Sequence, residues 1–168
     1  ITRPLGPSAT LPLIGGSGDI WTAGDIFRMI GETGVSFVSV ALECIRNPWV
    51  FRQARAWLAG DTEGVRRPPT VFEQRAVLLE HFHLAVGVHG ETRASMQMRK
   101  FGIRFSRHHP QRDELRVAFI GVKSIADWHS VIDRFYAADL PGVPIDEALP
   151  DEAVEATAAS RSRRRRDR

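Results

Sequence analysis

Two short apolar runs near the start of the chain each lead through a loop into an amphipathic helix. The first run, Leu11–Ile14, is predicted to be a strand. Thr22–Asp25 is typical of a capping box with Asp in the place of Glu, and Gly34 suits the left-handed end of a helix. Between them, one side of the helix is apolar, at Ile26, Met29 and Ile30. The pattern predicts one β/α unit over residues 11–34.

The second run repeats this arrangement. Val35–Val40 is apolar on both sides apart from its serines, as expected of a strand that helices cover on both faces. Asn47-Pro48 predicts a helix start that extends to about Leu58, where Gly60 ends it. Two consecutive β/α units predict a parallel sheet, and the polar segment Gly60–Pro69 predicts a domain boundary.

The second half of the chain has helical periodicity throughout. Short connections between the helices favour an antiparallel four-helix bundle over residues 70–138. The predicted helices follow a capping box at Thr70–Glu73 and extend to about His89, cover about Thr92–Ser106 and about Arg112–Gly121, and begin at Ser124 to end near Tyr136.

Composition narrows the class of protein. A chain of 168 residues predicts one or two domains, and no apolar run reaches the 18 residues that a membrane-spanning helix needs. A single cysteine, Cys44, excludes an intramolecular disulfide and fits a reducing compartment. The chain begins with Ile1 and no charged-then-apolar leader precedes the first strand, so a cytoplasmic location is expected.

The net charge of +3 is unevenly distributed. Residues 139–155 contain six carboxylates and no base, whereas residues 161–168 contain six arginines and one aspartate. Few large apolar side chains accompany these charges, so residues 139–168 are predicted to be a disordered tail, first acidic and then rich in arginine.

The glycine-rich segment Gly15–Asp19 lies between the first strand and its helix. Glycines let backbone N–H groups approach an anion closely, and loops after strands 7 and 8 of (β/α)₈ barrels often form a phosphate site. An ordinary strand-to-helix turn would have the same composition.

Three segments, in order, carry a family resemblance. LIGGSGDIWTAGDIFRMIGETGV, then NPWVFRQARAWLAG, then MRKFGIRFSRHHP resemble the tRNA-dihydrouridine synthases, flavin enzymes with a (β/α)₈ TIM barrel. The resemblance covers roughly Leu11 to Tyr136 and implies an α/β part followed by an α part. Residues 1–60 would be strand 7, helix 7, strand 8 and helix 8 on the phosphate side of the flavin. Residues 70–138 would be the helical tRNA-binding domain.

The reaction that the resemblance implies is reduction of the C5–C6 bond of uridine in tRNA to 5,6-dihydrouridine, with FMN as cofactor and NADPH as reductant. The family's catalytic cysteine lies earlier in the barrel, so no catalytic residue is assigned and this chain alone is expected to be inactive. The matched cofactor-binding positions are Gly16, Ser17, Gly18, Asp19, Ala41 and Leu42.

Three residues depart from the family's phosphate-binding pattern. Leu42 stands where the family has an arginine, and Glu43 adds a negative charge beside it. If Glu43 faces the cofactor it weakens phosphate binding, and otherwise it points to solvent. Arg46, at a position where the family has glycine, could compensate.

The helix over residues 92–106 carries the strongest interaction signal. Ala94, Met98, Phe101 and Phe105 are spaced to face a core, while a separate basic stripe fits a phosphate backbone. A solvated charged side is the alternative. His108-His109-Pro110 matches the family's helix-end sequence, and its expected role is capping or RNA contact. The expected RNA-binding residues are Arg93, Arg99, Lys100, Arg104, Arg107 and His108, with the arginines of residues 161–168 as a second candidate.

Other chemistry is not favoured. The histidines lack further ligands at metal-binding spacing, and Cys44 has no base near it in sequence. The expected partner is tRNA, with neither metal nor membrane, and the chain would be a monomer or would need the missing N-terminal half of the barrel. Two alternatives remain open: a non-catalytic RNA-binding remnant, or another FMN-dependent TIM-barrel oxidoreductase with an unrelated helical appendage.

Overall fold

The computed structural model describes residues 12–144, which form a two-stranded parallel sheet and a set of helices. In chain order the elements are β1 Gly15–Ser17, α1 Ala23–Thr33, β2 Phe37–Ser39, α2 Leu42–Arg46, α3 Val50–Leu58, α4 Thr62–Arg66, α5 Val71–His89, α6 Glu91–Phe105, a 3₁₀ turn Ser106–His108, α7 Arg112–Gly121 and α8 Ile125–Phe135.

The sheet lies later in the chain than the apolar pattern predicts. Gly15 pairs with Phe37 and Ser17 with Ser39, so β1 is formed by the glycines and not by Leu11–Ile14, whose first residue lies outside the described part. The ring of Phe37 occupies the space where a Cβ of Gly15 would be, so a larger residue could not pair here without displacing the ring.

The prediction that helices cover both sides of the second strand is wrong. Phe37 is 52% exposed and Ile14 is 65% exposed, so large apolar side chains of the sheet region face solvent. A sheet of two short strands has no further strands to complete either edge within residues 12–144.

The capping signals of α1 are confirmed. The Asp25 N–H donates to Thr22 Oγ1 at 3.1 Å while the Thr22 N–H donates to Asp25 Oδ2 at 2.9 Å. Gly34 ends the helix with φ of 71°, a left-handed conformation that glycine adopts without a steric penalty.

Between α1 and α5 the structure has two short helices that the sequence pattern did not predict, α2 and α4. α2 precedes Asn47, and α3 begins at Val50, later than the predicted Asn47-Pro48 start. Asn47 does not cap α3: it ends α2, where its N–H donates to the Glu43 carbonyl, and its Oδ1 accepts no hydrogen bond within residues 12–144. The predicted connection over residues 60–69 contains α4, whose N-cap Asp61 accepts the Gly64 N–H at 2.9 Å.

Helices α5 to α8 pack around one core. Their predicted positions are close to the observed ones, and the capping boxes at Thr70 and Ser124 are confirmed. Phe82 stacks on Trp128 with ring centroids 4.9 Å apart, and Gly102 leaves room for the ring of Phe119. The ring of Phe119 also lies 5.4 Å from that of Trp128, measured between centroids, so these contacts connect all four helices.

Trp49 joins the first half of the chain to these helices. Its ring lies 5.4 Å from that of Phe105 and 5.6 Å from that of His108, measured between centroids. Arg52 of α3 also pairs with Glu73 of α5 at 2.7 Å. The predicted boundary at residues 60–69 therefore separates segments that share a packed interface.

The segment Asp139–Val143, here called the strap, returns to the start of α5. Asp139 Oδ1 accepts the Phe72 N–H at 3.0 Å, the Leu140 carbonyl accepts the Val71 N–H at 3.0 Å, and the Val143 N–H donates to the His108 carbonyl at 2.8 Å. The predicted tail over residues 139–168 is thus wrong for its first residues, because they satisfy donors at a helix N-terminus. Residues 145–168 lie outside the described part.

Among the helices of residues 12–144, none combines the length and the apolar character that crossing a bilayer requires.

Candidate cofactor edge and basic surface

Both predicted parts of the cofactor-binding set lie at one edge of the sheet. Because β1 and β2 are parallel and Ser17 pairs with Ser39, the residues that follow each strand leave the sheet on the same side. Gly18 and Asp19 follow β1 with φ of 112° and 50°, and Ala41 and Leu42 follow β2 as exposed residues. This edge is the place where ligands bind in open parallel sheets.

Gly16 and Gly18 lie at this edge, and glycine is needed at each position for a different physical reason. A Cβ on Gly16 would press on the sulfur of Met29 and on Val35, so Gly16 is explained by the packing of α1 on the sheet. A Cβ on Gly18 would meet open space, and its positive φ explains why glycine stands there. Of the two, only Gly18 leaves the backbone open to a ligand, next to the exposed Ser17.

The N-terminus of α1 already has an internal anion. The N–H groups of Trp21 and Thr22 donate to the Asp25 carboxylate at 3.0 Å and 2.9 Å. A phosphate placed against these groups would have to compete with that carboxylate. The turn at Gly18 and Asp19 is therefore the better candidate for contact with an anion.

Residues 40–45, which follow β2, contain no cation. Leu42 is 52% exposed, while Glu43 is only 5% exposed, so the expectation that Glu43 could point to solvent is wrong. Arg46 is 6% exposed, and its guanidinium carbon lies 5.0 Å from the centroid of the Trp21 ring. The one arginine near the edge in the described chain is thus packed against an aromatic ring.

These observations decide how well the edge fits the phosphate of a flavin mononucleotide. The Gly18–Asp19 turn has the backbone shape of such a site, but residues 40–45 supply no positive charge. The described residues therefore do not form a complete phosphate site.

The basic stripe lies on α6 beside its buried side. Ala94, Met98 and Phe105 are buried as predicted, and Phe101 is half-buried. On the neighbouring side of the helix, Arg93, Lys100 and Arg104 follow at intervals of seven and four residues, with Arg107 continuing in the 3₁₀ turn.

Two predicted members do not belong to this stripe. Arg99 directly precedes Lys100 and therefore points about 100° away from it around the helix. His108 is 2% exposed and packs on Trp49, so the expectation that it contacts RNA is wrong for this structure. Burial lowers the pKa of His108 to about 4, with the Arg46 backbone opposing the shift.

His109 confirms the capping alternative for the histidine pair. Its Nδ1 accepts the Gln111 N–H at 3.0 Å, which leaves Nε2 as the protonated nitrogen that donates to the Phe135 carbonyl at 2.9 Å. His109 therefore joins the turn before α7 to the end of α8. Burial lowers its pKa, and the Phe135 carbonyl partly opposes this change.

Other candidate chemistry is limited within residues 12–144. Cys44 donates its thiol to the Ala41 carbonyl at 3.0 Å, and the described residues contain no group of three metal-ligating side chains. A cleft of about 370 Å³ that the sequence did not predict lies between the strap and the loop before α5, bordered by Arg67, Thr70 and Asp139. It depends on a contact between distant parts of the chain, so no local pattern indicates it.

Comparison with known proteins identifies the same family along most of the chain. The model of the dihydrouridine synthase (Dus) family matches residues 7–132. A probable tRNA-dihydrouridine synthase of Mycobacterium leprae (strain TN) is 30% identical over 145 residues, which are 86% of this chain and 35% of that protein.

Two further relatives are similarly distant. A probable tRNA-dihydrouridine synthase of Mycobacterium tuberculosis (strain ATCC 25618 / H37Rv) is 29% identical, over 84% of this chain and 39% of its own length. tRNA-dihydrouridine synthase B of Shewanella oneidensis is 26% identical, over 80% of this chain and 40% of its own length. The chain therefore spans less than half the length of the curated relatives that it matches.

Proposed function

Because the chain belongs to the dihydrouridine synthase family, we propose that it is the tRNA-holding portion of an enzyme that reduces uridine in tRNA to 5,6-dihydrouridine. In this proposal β1 to α3 are the last two β/α units of a TIM barrel, and α5 to α8 are the helical tRNA-binding domain. Since its proposed substrate is tRNA, we propose that the protein is cytoplasmic.

The observation that carries the proposal is the basic stripe of α6. Arg93 and Lys100 are exposed, Arg104 and Arg107 are half-buried, and none of the four has an ion pair within residues 12–144. Unpaired cations in a row along a helix are the electrostatic footprint expected of a surface that binds a nucleic-acid backbone. Folded tRNA would then be held through its shape and phosphates.

The proposed cofactor is FMN, with NADPH as its reductant, and it would carry the redox chemistry when bound. The Gly18–Asp19 turn would contact its phosphate, but the remaining contacts would have to come from other parts of the barrel. Because Leu42 provides no charge, we expect the isolated chain to have negligible affinity for FMN and to purify without colour. A yellow protein with stoichiometric flavin absorbance would contradict this expectation.

A non-catalytic RNA-binding protein is the second candidate. The observation that favours it is the exposed Leu42, which stands where the resemblance implies an arginine and lies next to the buried carboxylate Glu43. Such a protein would bind tRNA as proposed here but would not gain reductase activity when the rest of a barrel is supplied.

Measurement of tRNA affinity over a range of salt concentrations tests the proposal. The double variant Lys100→Ala/Arg104→Ala should bind more weakly, and the slope of log affinity against log salt should become shallower by about 0.7 to 0.9 for each lost contact. Neither side chain lies on the buried side of α6, so the fold should remain intact.

Deletion of residues 156–168 is the matched control because it removes six arginines without touching α6. Affinity should fall less for this deletion than for the double variant. If the deletion abolishes tRNA binding while the double variant binds normally, α6 is not the RNA-binding surface and the proposal fails.

A further inference from the structure

The basic stripe has an apolar neighbour on α5. Leu84 is 64% exposed and Val88 is 76% exposed, and both follow His81 on the same side of the helix, three and seven residues later. We call His81, Leu84 and Val88 the apolar row. We call Arg93, Lys100 and Arg104, the part of the basic stripe that lies within α6, the basic row. Exposed aliphatic side chains at successive turns are not explained by the core of this molecule.

Two contacts fix how the rows lie relative to each other. The His81 ring lies 4.3 Å from the Phe101 ring, and Gln74 Nε2 donates to the His108 carbonyl at 3.0 Å. These contacts define an antiparallel register between α5 and α6. The same register brings Leu84 to the level of Met98 and Val88 to the level of Ala94.

The apolar row and the basic row therefore lie on either side of the line where α5 and α6 meet, here called the α5–α6 seam. Phe101 lies between the buried side of α6 and its basic row, and His81 contacts Phe101 from α5. The next residue, Phe82, turns to the other flank of α5 and stacks on Trp128 of α8. The flank of α5 with His81, Leu84 and Val88 is thus the one that adjoins the basic row.

We propose that the α5–α6 seam binds unpaired nucleotides of RNA, with the basic row on phosphates and the apolar row with Phe101 against nucleobases. This inference rests on the proposed function and adds to it a preference for looped over fully paired RNA. Paired RNA offers phosphates and sugars but hides its base faces, so it could use the basic row alone. Unpaired bases can stack on rings and pack on aliphatic groups while their phosphates face cations.

The charge of the seam favours RNA over a protein partner. The basic row contains three cations, and no carboxylate lies between Arg93 and Arg104 on α6, while Glu80, four residues before Leu84, is the one carboxylate of α5 between Gln74 and His89. Burial lowers the pKa of His81, so its ring is neutral near pH 7 and can act as a flat apolar contact. A protein partner would need an apolar surface edged by acids, whereas RNA supplies both parts in each nucleotide.

The test compares an unmodified tRNA transcript with an RNA duplex that has no loop, using the full 168-residue chain. We expect Leu84→Ser/Val88→Ser to weaken binding of the tRNA about tenfold and to leave duplex binding unchanged. The salt slope for tRNA should not change, because no phosphate contact is lost. The matched control is Val117→Ser/Ile120→Ser on α7, where both side chains are also exposed, and it should bind both RNAs normally.

Several outcomes would overturn the inference. Unchanged tRNA binding by the Leu84/Val88 variant would do so, and so would an equal loss for tRNA and duplex. Unchanged tRNA binding with reduced self-association in sedimentation would assign the apolar row to a protein contact instead. If the serine variant does not fold, Leu84→Ala/Val88→Ala replaces it, with the same comparison of tRNA and duplex.

The same experiment separates this inference from the proposed function. If Lys100→Ala/Arg104→Ala weakens binding to both RNAs while the Leu84/Val88 variant changes neither, the chain binds RNA through phosphates alone. If neither variant changes binding to tRNA, the proposed function fails as well.

Discussion

Gly102 and Gly87 lie in neighbouring helices that pack together, but their surroundings differ. A Cβ on Gly102 would collide with the ring of Phe119, whereas a Cβ on Gly87 would meet nothing within 4 Å. We expect Gly102→Ala to lower the free energy of unfolding by about 1–3 kcal/mol through overpacking. Gly87→Ala should raise it by about 0.5–1 kcal/mol, because alanine favours the helix.

Urea unfolding of the two variants beside the wild-type chain checks this prediction. The shared substitution makes each variant the control for the other. A stabilised Gly102→Ala chain would mean that α6 and α7 are packed less closely than described.

His108 should make the molecule sensitive to acid. Its pKa in the folded chain is lowered from 6.5 to about 4, so the unfolded chain binds more protons between these values. The free energy of unfolding should therefore be fully present above about pH 6.5 and should fall by about 2–3 kcal/mol as the pH drops towards 4. Burial lowers the pKa of His81 and His109 too, which adds to the effect in the same direction.

Urea unfolding at several pH values between 4 and 8 measures this slope. His108→Phe keeps an aromatic ring against Trp49 and should flatten the slope, while His89→Gln, at an exposed position, should not. Identical slopes for all three chains would rule out His108 as the main titrating group.

At the scale of elements, the strap is the feature with the clearest consequence. Truncation after Ala138 removes three hydrogen bonds, one accepted by the Asp139 side chain and two between backbone groups, and two of the three are donated by the first turn of α5. At about 1 kcal/mol each, their loss should lower the free energy of unfolding by about 2–3 kcal/mol. Truncation after Pro144 keeps the strap and is the control. Equal stability of the two truncated chains would show that the strap adds nothing to the fold.

The structural features that could be predicted from the sequence are those that depend on residues close together in the chain. The capping boxes at Thr22, Thr70 and Ser124 formed as predicted because each pairs residues three positions apart. The strap was missed because Asp139 binds a backbone group 67 residues earlier. The start of α3 was misplaced because Asn47 ends α2, a short helix that the pattern did not predict.

In the candidate sites too, features set by neighbouring residues were predicted and features set by distant contacts were not. Helical spacing was enough to separate the basic row of α6 from its core positions, as the burial of Met98 and exposure of Lys100 confirm. Spacing could not reveal that His108 turns inward to Trp49, which lies almost sixty residues earlier in the chain. The apolar row was also not identified, because Leu84 and Val88 belong to a helix that is apolar around much of its circumference.

At the scale of the whole molecule, residues 12–46 should unfold locally more easily than helices α5 to α8. Large apolar side chains of the sheet region are exposed, whereas α5 to α8 share a core with Trp49. We therefore expect amide hydrogens of residues 12–46 to exchange faster than those of α5 to α8. Hydrogen exchange followed by mass spectrometry measures this difference, and equally slow exchange in both halves would contradict it.

The most direct test of the central claim is to locate tRNA on the chain. Ultraviolet crosslinking of the 168-residue chain to a tRNA transcript, with the crosslinked peptides mapped by mass spectrometry, reports the contacting residues. The account predicts crosslinks in peptides that contain the α5–α6 seam, from His81 to Arg104, and their loss in the Lys100→Ala/Arg104→Ala variant. Crosslinks confined to residues 156–168, unchanged in that variant, would contradict it.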